Sequence, residues 1–274
     1  MIGLVIGVGF GLVLLMSSAW AIQRLTGNCS WVDVVWSLGT GAAGVTFALA
    51  PIDGGTANIR QIAVAVLVAA WSLRLGGFIA LRASAGHDDP RYADLRREWG
   101  AQFQRRLYIF LLVQAFVAWS LALSMLLAAR NPSPGFRALD LLGVAVLVVA
   151  VIGEATADNQ MRKFKRNPEN RGKVCDVGLW SWSRHPNYFF EWLGWVAYPL
   201  FAIGAAWGWG WLALTGPAVM FWTLRFASGV PPLEAHMLRR YGAGFRAYQA
   251  RVNVFFPGPP RASPGPRIHP GDPS

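Results

Sequence analysis

Seven apolar segments, each close to the length that crosses a bilayer, constrain this chain more than any other feature. They lie at about residues 2–22, 31–50, 61–81, 107–129, 139–159, 188–206 and 209–228. A helix of about 20 apolar residues spans the hydrocarbon core, and backbone groups in lipid must be paired within the segment. No alternating strand pattern competes. The sequence therefore predicts an all-α, polytopic membrane protein with seven transmembrane helices.

The charge distribution predicts the orientation. The chain is 54% hydrophobic and 14% charged with a net charge of +11, whereas soluble domains carry about 25% charged residues. Such a positive charge could indicate nucleic acid, but the basic residues cluster between the apolar runs, as in cytoplasmic loops. Segments 82–106, 162–184 and the stretch after 228 are the basic ones. With seven spans, this places the N-terminus outside and the C-terminus in the cytoplasm, and no nucleic acid is expected.

The chain shows no internal repeat and is expected to be one domain over residues 1–257. The segment 258–274 is rich in Pro and Gly and is expected to be disordered. The first apolar run has no Lys or Arg before Arg24, so a retained helix is expected rather than a cleaved signal. The cysteines, Cys29 and Cys175, match no metal or disulfide spacing, and HExxH and CxxC are absent. No metal site is expected.

Charged residues inside the apolar segments are the first candidates for function, because each costs about 2.5–3.5 kcal/mol on insertion scales. They are Asp33, Arg74, Glu154, Asp158 and Glu191. Glu154 and Asp158 are four residues apart and share a helix face, which Arg162 continues toward the basic loop. Arg74 is as well explained by a structural pair with Asp33 or Glu154. Together these residues predict a polar cavity that opens to the cytoplasm.

Two loops carry more hydrogen-bonding residues than topology requires. They are "GHDDPRYADLRREWG" (86–100) and "NPENRGKVCDVGLWSWSRHPNYFFE" (167–191). Arg, Lys and amide groups that converge on a cavity suit a multiply anionic cofactor. Asn187 and Glu191 are four apart and face inward, while Arg184 and His185 lie at the rim. Neither a GxGxxG after a strand nor a P-loop is present, so no soluble nucleotide-binding fold is expected.

The segment "ADNQMRKFKRNPENRGKVCDVGLWSWSRHPNYFFEWLGW" (157–195) strongly resembles the signature of the bacterial DUF1295 proteins, relatives of the steroid 5-alpha-reductase C-terminal domain. "SWVDVVWSLG" (30–39), residues 73–100 and "YGAGFRAYQARVNVFFP" (241–257) also match. The resemblance implies a seven-helix fold, NADPH as hydride donor and reduction of a C=C bond conjugated to a ketone. The implied substrate is steroid- or prenoid-like, and the implied location is a bacterial inner membrane with the cofactor site facing the cytoplasm.

The candidate site residues follow from the resemblance and from the loops together. The expected cofactor-binding residues are Asp158, Arg162, Lys165, Lys173, Gly178, Arg184, His185, Asn187, Glu191 and Tyr241. The expected substrate-binding residues are Asp33, Trp36, Trp71 and Arg74. Asp33 takes the place of a glutamate that faces the substrate carbonyl in the reductases. A reductase tyrosine aligns with Trp71, so Tyr92 and Tyr188 are the candidates to complete the carbonyl-activating group, and with Asp33 they form the expected catalytic set.

Two other functions remain open. "RHPNY" followed by an acidic residue, with "RYGAGFRAYQARV" near the C-terminus, also resembles the isoprenylcysteine carboxyl methyltransferases, which use S-adenosylmethionine. A non-catalytic lipid-binding or transport protein would use the same cavity without a cofactor. The cluster of donors at 162–188 favours a cofactor over a lipid headgroup alone.

Overall fold

The computed structural model describes residues 1–51, 54–86, 89–204 and 207–261. The helices are α1 (Ile2–Thr26), α2 (Ser30–Leu49), α3 (Ile59–Ser84), α4 (Pro90–Trp99), α5 (Phe103–Ala129), α6 (Ala138–Arg166), α7 (Pro186–Ala202), α8 (Thr215–Trp222), α9 (Val230–Tyr241) and α10 (Ala243–Arg251). Within the described ranges the only extended pairings are the single bridges Ser183–Asn253 and Gly204–Trp207. The predicted all-α fold is confirmed for these residues.

Five helical stretches are long and apolar enough to cross a membrane: α1, α2, α3, the stretch Arg91–Ala129 that includes α5, and α6. The sixth predicted span forms α7, whose 17 residues rise only about 25 Å at 1.5 Å per residue. The seventh is divided into a 3₁₀ helix (Gly208–Leu214), α8 and a π-helical turn (Thr223–Ala227). The chain is thus an integral membrane protein by its long apolar helices, and the count of seven spans stays a prediction.

Glycines let α2 pack closely against its neighbours. A Cβ on Gly41 would lie 2.2 Å from the Cβ of Ser72 on α3, and one on Gly44 would lie 2.9 Å from Val68. Real side chains do not approach so closely, so both positions require glycine. The glycines of "SLGTGAAG" (37–44) thus permit close helix packing.

One end of the bundle gathers the basic segments. Asn28 Nδ2 donates to the Ala83 carbonyl at 3.2 Å and joins the start of α2 to the end of α3. Trp180 Nε1 donates to the Ala157 carbonyl at 3.0 Å and joins the loop before α7 to the C-terminal half of α6. We call this end of the bundle the basic end. Backbone hydrogen bonds from Gly258 to Trp182 and from Arg261 to Arg251 hold residues 258–261 against it. Residues 262–274 of the expected tail lie outside the described residues.

The opposite end is closed by a buried ionic network. Arg60 donates to Asp140 at 2.8 Å and to the carbonyls of the loop that precedes α6. Arg137 also pairs with Asp140 at 2.8 Å and donates to the carbonyls of Phe201 and Ile203 at the end of α7. Terminal helix carbonyls have no intrahelical partner, so this network caps α7 and sets its position in the bundle.

Candidate functional site

A cluster of buried carboxylates lies between α3, α6 and α7. Arg74 Nη2 lies 2.5 Å from Glu154 Oε2, and Arg74 Nη1 lies 3.5 Å from Asp158 Oδ2. Glu191, on α7, lies beside Glu154. Of the two partners considered for Arg74, the structure therefore shows Glu154. Arg74 Nε is buried and has no hydrogen-bond partner among the described residues, so it is a donor available to a ligand, whereas Nη2 is engaged by Glu154.

Glu191 is held by two indole groups. Trp71 Nε1 donates to Glu191 Oε2 at 2.8 Å, and Trp195 Nε1 donates to Glu191 Oε1 at 3.0 Å. The two indole rings pack edge to face with centroids 5.4 Å apart. The predicted substrate residue Trp71 thus orients a predicted cofactor residue. Trp36, by contrast, donates its indole N–H to the Gln114 carbonyl at 3.1 Å and packs into the core.

A second group joins α2 to α4 at the basic end. The Tyr92 hydroxyl donates to Asp33 Oδ1 at 2.9 Å, and Arg91 Nη2 donates to Asp33 Oδ2 at 3.0 Å. Asp89 caps α4 by accepting from the Arg91 backbone N–H at 2.9 Å. Burial raises the pKa of Asp89, but the Arg91 guanidinium and its hydrogen bonds outweigh this and hold it below the ordinary value. Two predicted catalytic residues, Asp33 and Tyr92, are therefore in direct contact.

Tyr188 lies next to this group in the first turn of α7. Its ring stacks on His185 with centroids 5.5 Å apart and planes 7° apart, and the charges of Arg91, Asp89 and Asp33 act on its hydroxyl. Among the described residues it makes no hydrogen bond to Asp33 or Tyr92. The third predicted catalytic residue is thus a neighbour of the pair rather than a member of it.

The predicted rim residues Arg184 and His185 contact the C-terminal helices. Arg184 Nε donates to Glu234 Oε1 at 2.7 Å, and His185 Nε2 lies 3.1 Å from the same oxygen. Arg184 Nη1 also donates to the Val252 carbonyl at 2.6 Å. Burial raises the pKa of Glu234, but hydrogen bonds from His185 and Arg184 outweigh it and lower the pKa to about 2. Burial lowers the pKa of His185, against the opposing effect of Glu234.

The other predicted cofactor residues divide into two sets. Asn187 is half-buried, its amide makes no hydrogen bond among the described residues, and it shares a helix face with Glu191. Arg162, Lys165 and Lys173 are exposed, and Tyr241 packs with the aromatic residues of α10. The charges of Arg82 and Arg162 act on Asp158, so positive groups lie near the carboxylate cluster where it approaches the basic end of the bundle.

Gly178 has a conformational role. Its φ of +59° lies in the left-handed region, and a Cβ there would lie 2.6 Å from the Gln160 amide. Gln160 Oε1 accepts the Leu179 N–H at 2.9 Å. Glycine at this position therefore lets the loop before α7 dock onto α6.

Three contributors were not among the candidate residues of the sequence, and a fourth, Glu154, was a candidate to which no ligand was assigned. Arg82, Arg91, Glu154 and Glu234 all contact or act on residues that were predicted. Glu154 was recognisable by its position four residues before Asp158, and Arg91 by its place between Pro90 and Tyr92 in the loop motif. Nothing local distinguishes Glu234, because its partners lie about 50 residues earlier. Within the described residues, no group of three or more His, Cys, Asp or Glu side chains could hold a metal ion.

The fold and the site define a polytopic helical membrane protein whose ionisable side chains gather inside the apolar layer near one end. The chain belongs to the family described as "Protein of unknown function (DUF1295)", which matches residues 19–252. It is 26% identical over an alignment of 274 residues to an uncharacterized protein of Schizosaccharomyces pombe, covering 87% of this chain and 75% of the relative.

A second relative is a probable O-methyltransferase, ustE, of Ustilaginoidea virens. The identity is 30% over 105 residues, which is 38% of this chain and 34% of the relative. The chain thus matches about a third of that protein's length. No solved structure shows a significant match.

Proposed function

We propose that this protein is an NADPH-dependent membrane reductase that saturates the C=C bond of an enone such as a 4-ene-3-oxo steroid. The observation that carries the proposal is the contact between Tyr92 and Asp33, where a phenol, a carboxyl and the Arg91 guanidinium meet at the border of the apolar layer. Reduction of an enone places negative charge on its carbonyl oxygen. Donors aimed at that oxygen stabilise the enolate by about 3–4 kcal/mol each when they are preorganised.

Asp33 orients both donors, because one of its oxygens accepts from Tyr92 and the other from Arg91. A substrate carbonyl that enters here accepts from the Tyr92 hydroxyl or the Arg91 guanidinium in place of Asp33. NADPH held by residues such as Asn187 and Arg74 would supply the hydride for the β-carbon, and solvent would supply the proton for the α-carbon. Exclusion of water by the surrounding helices favours this transfer over side reactions.

The residues around the carboxylate cluster suit an anionic dinucleotide. Asn187 has a free amide, Glu191 is already oriented by two indoles, and Arg74 Nε is an unused donor. The exposed cations Arg162 and Lys165 supply charge for phosphate groups. By the positive-inside rule the basic end, and with it the cofactor, faces the cytoplasm. Both relatives are fungal, so a bacterial inner membrane rests on the sequence resemblance alone.

One comparison favours a second candidate, a methyltransferase that uses S-adenosylmethionine. The partial match to a probable O-methyltransferase agrees with the resemblance of the "RHPNY" segment. In that case the carboxylates would face the positive sulfonium and amino groups of the cofactor, and the cations of the basic end would be left for the substrate.

Thermal unfolding of the purified protein in detergent distinguishes the two. A ligand at about 100 times its Kd adds about 2.7 kcal/mol, so NADPH, NADH and S-adenosylmethionine are compared at saturating concentration. We expect NADPH to raise the Tm, and we expect Asn187→Ala and Glu191→Ala to abolish this rise. Gln102→Ala removes an exposed amide between α4 and α5. This variant is the control and should retain the rise in Tm.

Incubation with NADPH and progesterone or testosterone, followed by mass analysis for a gain of two hydrogens, then tests the substrate class. Stabilisation by S-adenosylmethionine and not by NADPH would replace the reductase with the methyltransferase.

A further inference from the structure

A cavity of about 340 Å³ lies at the basic end, between the π-helical turn at Thr223–Ala227 and the C-terminal segment. Three guanidinium groups line it, those of Arg184, Arg225 and Arg261, together with the amides of Gln249 and Asn253. None of the residues that line it is acidic. Its walls therefore favour an anion.

Two of the three guanidinium groups have no ion-pair partner among the described residues. Arg184 is neutralised by Glu234 at 2.7 Å. Arg225 lies over the Phe226 ring, 5.0 Å from its centroid, and the hydrogen bond of Arg261 within the chain is made by its backbone N–H. Guanidinium groups bind phosphate through paired hydrogen bonds. Arg225 and Arg261 thus carry uncompensated charge of the kind that a phosphate would neutralise.

Exposed aromatic side chains lie on the two segments that form this cavity. Trp222 is 61% exposed, Phe226 is 56% exposed, and Phe256, which lines the cavity, is 51% exposed. Arg225 lies between Trp222 and Phe226, where the last apolar segment ends. Aromatic residues in such positions are typical of the boundary between lipid and water. An anion in this cavity would therefore lie at the depth of the lipid headgroups.

The cavity is separate from the carboxylate cluster. Phe189 and Trp192 of α7 pack against Phe255, with ring centroids 6.4 and 6.2 Å apart. Glu191, on the same helix, instead accepts hydrogen bonds from Trp71 and Trp195. A layer of aromatic rings thus lies on one side of α7 and the ionisable site on another.

We propose that this cavity binds the phosphate of an anionic phospholipid headgroup. Arg225 and Arg261 bind the phosphate oxygens, the Asn253 amide contacts the polar headgroup, and the acyl chains lie along Phe226 and Trp222. Free phosphate or the phosphates of a soluble nucleotide share this chemistry. The exposed aromatic residues favour the lipid, because a soluble anion gains nothing from them. Lipid binding in this cavity is expected for either proposed reaction, hydride transfer or methyl transfer.

Native mass spectrometry of the detergent-purified protein tests the assignment by counting bound phosphatidylglycerol and phosphatidylcholine during titration. We expect wild type to retain one phosphatidylglycerol preferentially. The double variant Arg225→Gln, Arg261→Gln should bind it at least about tenfold more weakly, since it loses the charge-assisted hydrogen bonds of two guanidinium groups to the phosphate. Arg246→Gln removes an exposed arginine that does not line the cavity and should bind as wild type does.

Competition and a milder variant complete the test. Inorganic phosphate and NADPH should not displace the phosphatidylglycerol. If the double variant is unfolded by circular dichroism, Arg261→Gln alone, near the end of the described chain, provides the comparison. Unchanged phosphatidylglycerol binding in a folded variant would overturn the proposal. Loss of NADPH stabilisation with unchanged lipid binding would also overturn it, by assigning the cavity to a soluble phosphate.

Discussion

At the scale of single residues, the ionisable side chains of this protein are held by a few donors that leave part of each group free. Glu191 receives two indole N–H groups, which fix its carboxylate without a counter-ion. Arg74 pairs with two carboxylates through its Nη atoms and still has a buried Nε without a hydrogen bond. Charge-assisted hydrogen bonds are about twice as strong as neutral ones, so these groups are rigid before a ligand arrives. Such preorganisation is what electrostatic catalysis requires.

Tyr92→Phe tests the proposed catalytic role of Tyr92 and Asp33, since it removes the hydroxyl that contacts Asp33 and keeps the ring. We expect kcat for enone reduction to fall about 10²- to 10³-fold while NADPH still raises the Tm. Asp33→Ala should behave in the same way. Tyr108→Phe, which removes a hydroxyl that pairs with Ser17 of α1, is the control. Turnover of Tyr92→Phe equal to that of this control would show that the phenol has no part in the reaction.

Because His185 is buried, we expect the stability of the fold to decrease in acid. Its pKa is lowered by burial from an ordinary value of 6.5, so the unfolded chain takes up this proton first as the pH falls. Stability is therefore present above about pH 6.5 and decreases below it. The depressed pKa of Glu234 acts in the same direction at lower pH, since its contribution is lost between its ordinary pKa of 4.5 and about 2.

Thermal unfolding between pH 7.5 and pH 5 measures this effect. We expect the Tm of wild type to fall over this range, and His185→Gln to reduce the fall. His236→Gln, a half-buried histidine near Asp94, is the matched control and should keep the wild-type dependence. An equal pH dependence in wild type and His185→Gln would mean that another group titrates.

At the scale of elements, α7 is the helix that positions the site, and it is fixed at both ends. Ser183 Oγ donates to the Phe255 carbonyl at 2.8 Å just before the helix begins. At the other end, Asn131 Nδ2 donates to the Phe201 carbonyl at 2.8 Å, beside the bonds from Arg137. These contacts set the depth of a helix that is too short to find its position by hydrophobic matching alone.

Asp140→Ala should weaken this second attachment strongly. It leaves the buried Arg60 and the half-buried Arg137 without their shared carboxylate, and breaking a buried pair costs about 3–5 kcal/mol. We expect a large fall in the free energy of unfolding, measured by denaturant titration in detergent. Asp176→Ala removes the exposed partner of Arg251 and should cost under about 1 kcal/mol. Equal losses in the two variants would contradict the role given to the network.

At the scale of the whole molecule, the basic segments meet at one end and the loops at 54–58 and 130–137 lie at the other. The positive-inside rule predicts that the basic end faces the cytoplasm. Cys29 and Cys175 are buried, so a maleimide should label an introduced exposed cysteine with little background labelling of the native cysteines.

Thr56→Cys and Arg171→Cys, both at exposed positions, test the orientation by labelling of intact cells with a membrane-impermeant maleimide. We expect Thr56→Cys to be labelled from outside and Arg171→Cys only after permeabilisation. The reverse pattern would place the cofactor mouth outside the cell and would exclude intracellular NADPH as the donor.

The helical architecture and the spans up to residue 166 were determined by the sequence, because long apolar runs leave the backbone no other way to pair in lipid. The same physics identified Asp33, Arg74, Glu154, Asp158 and Glu191, since a charge in an apolar run is costly without a partner. The broken course of the last segment was not predictable from hydropathy, because Gly208 and Gly210 lower the helix propensity at its start without changing the apolar composition.

Only the tertiary structure decided which partner each charge has. Asp33 could have met Arg74 but contacts Tyr92 and Arg91, and Arg184 and His185 meet Glu234 at the rim. These pairings join residues far apart in the chain, so they depend on how the helices approach one another. Between α2 and α3 the glycines at 41 and 44 permit a close approach. Periodicity places a residue on a helix face, whereas the packing of neighbouring helices determines what that face meets.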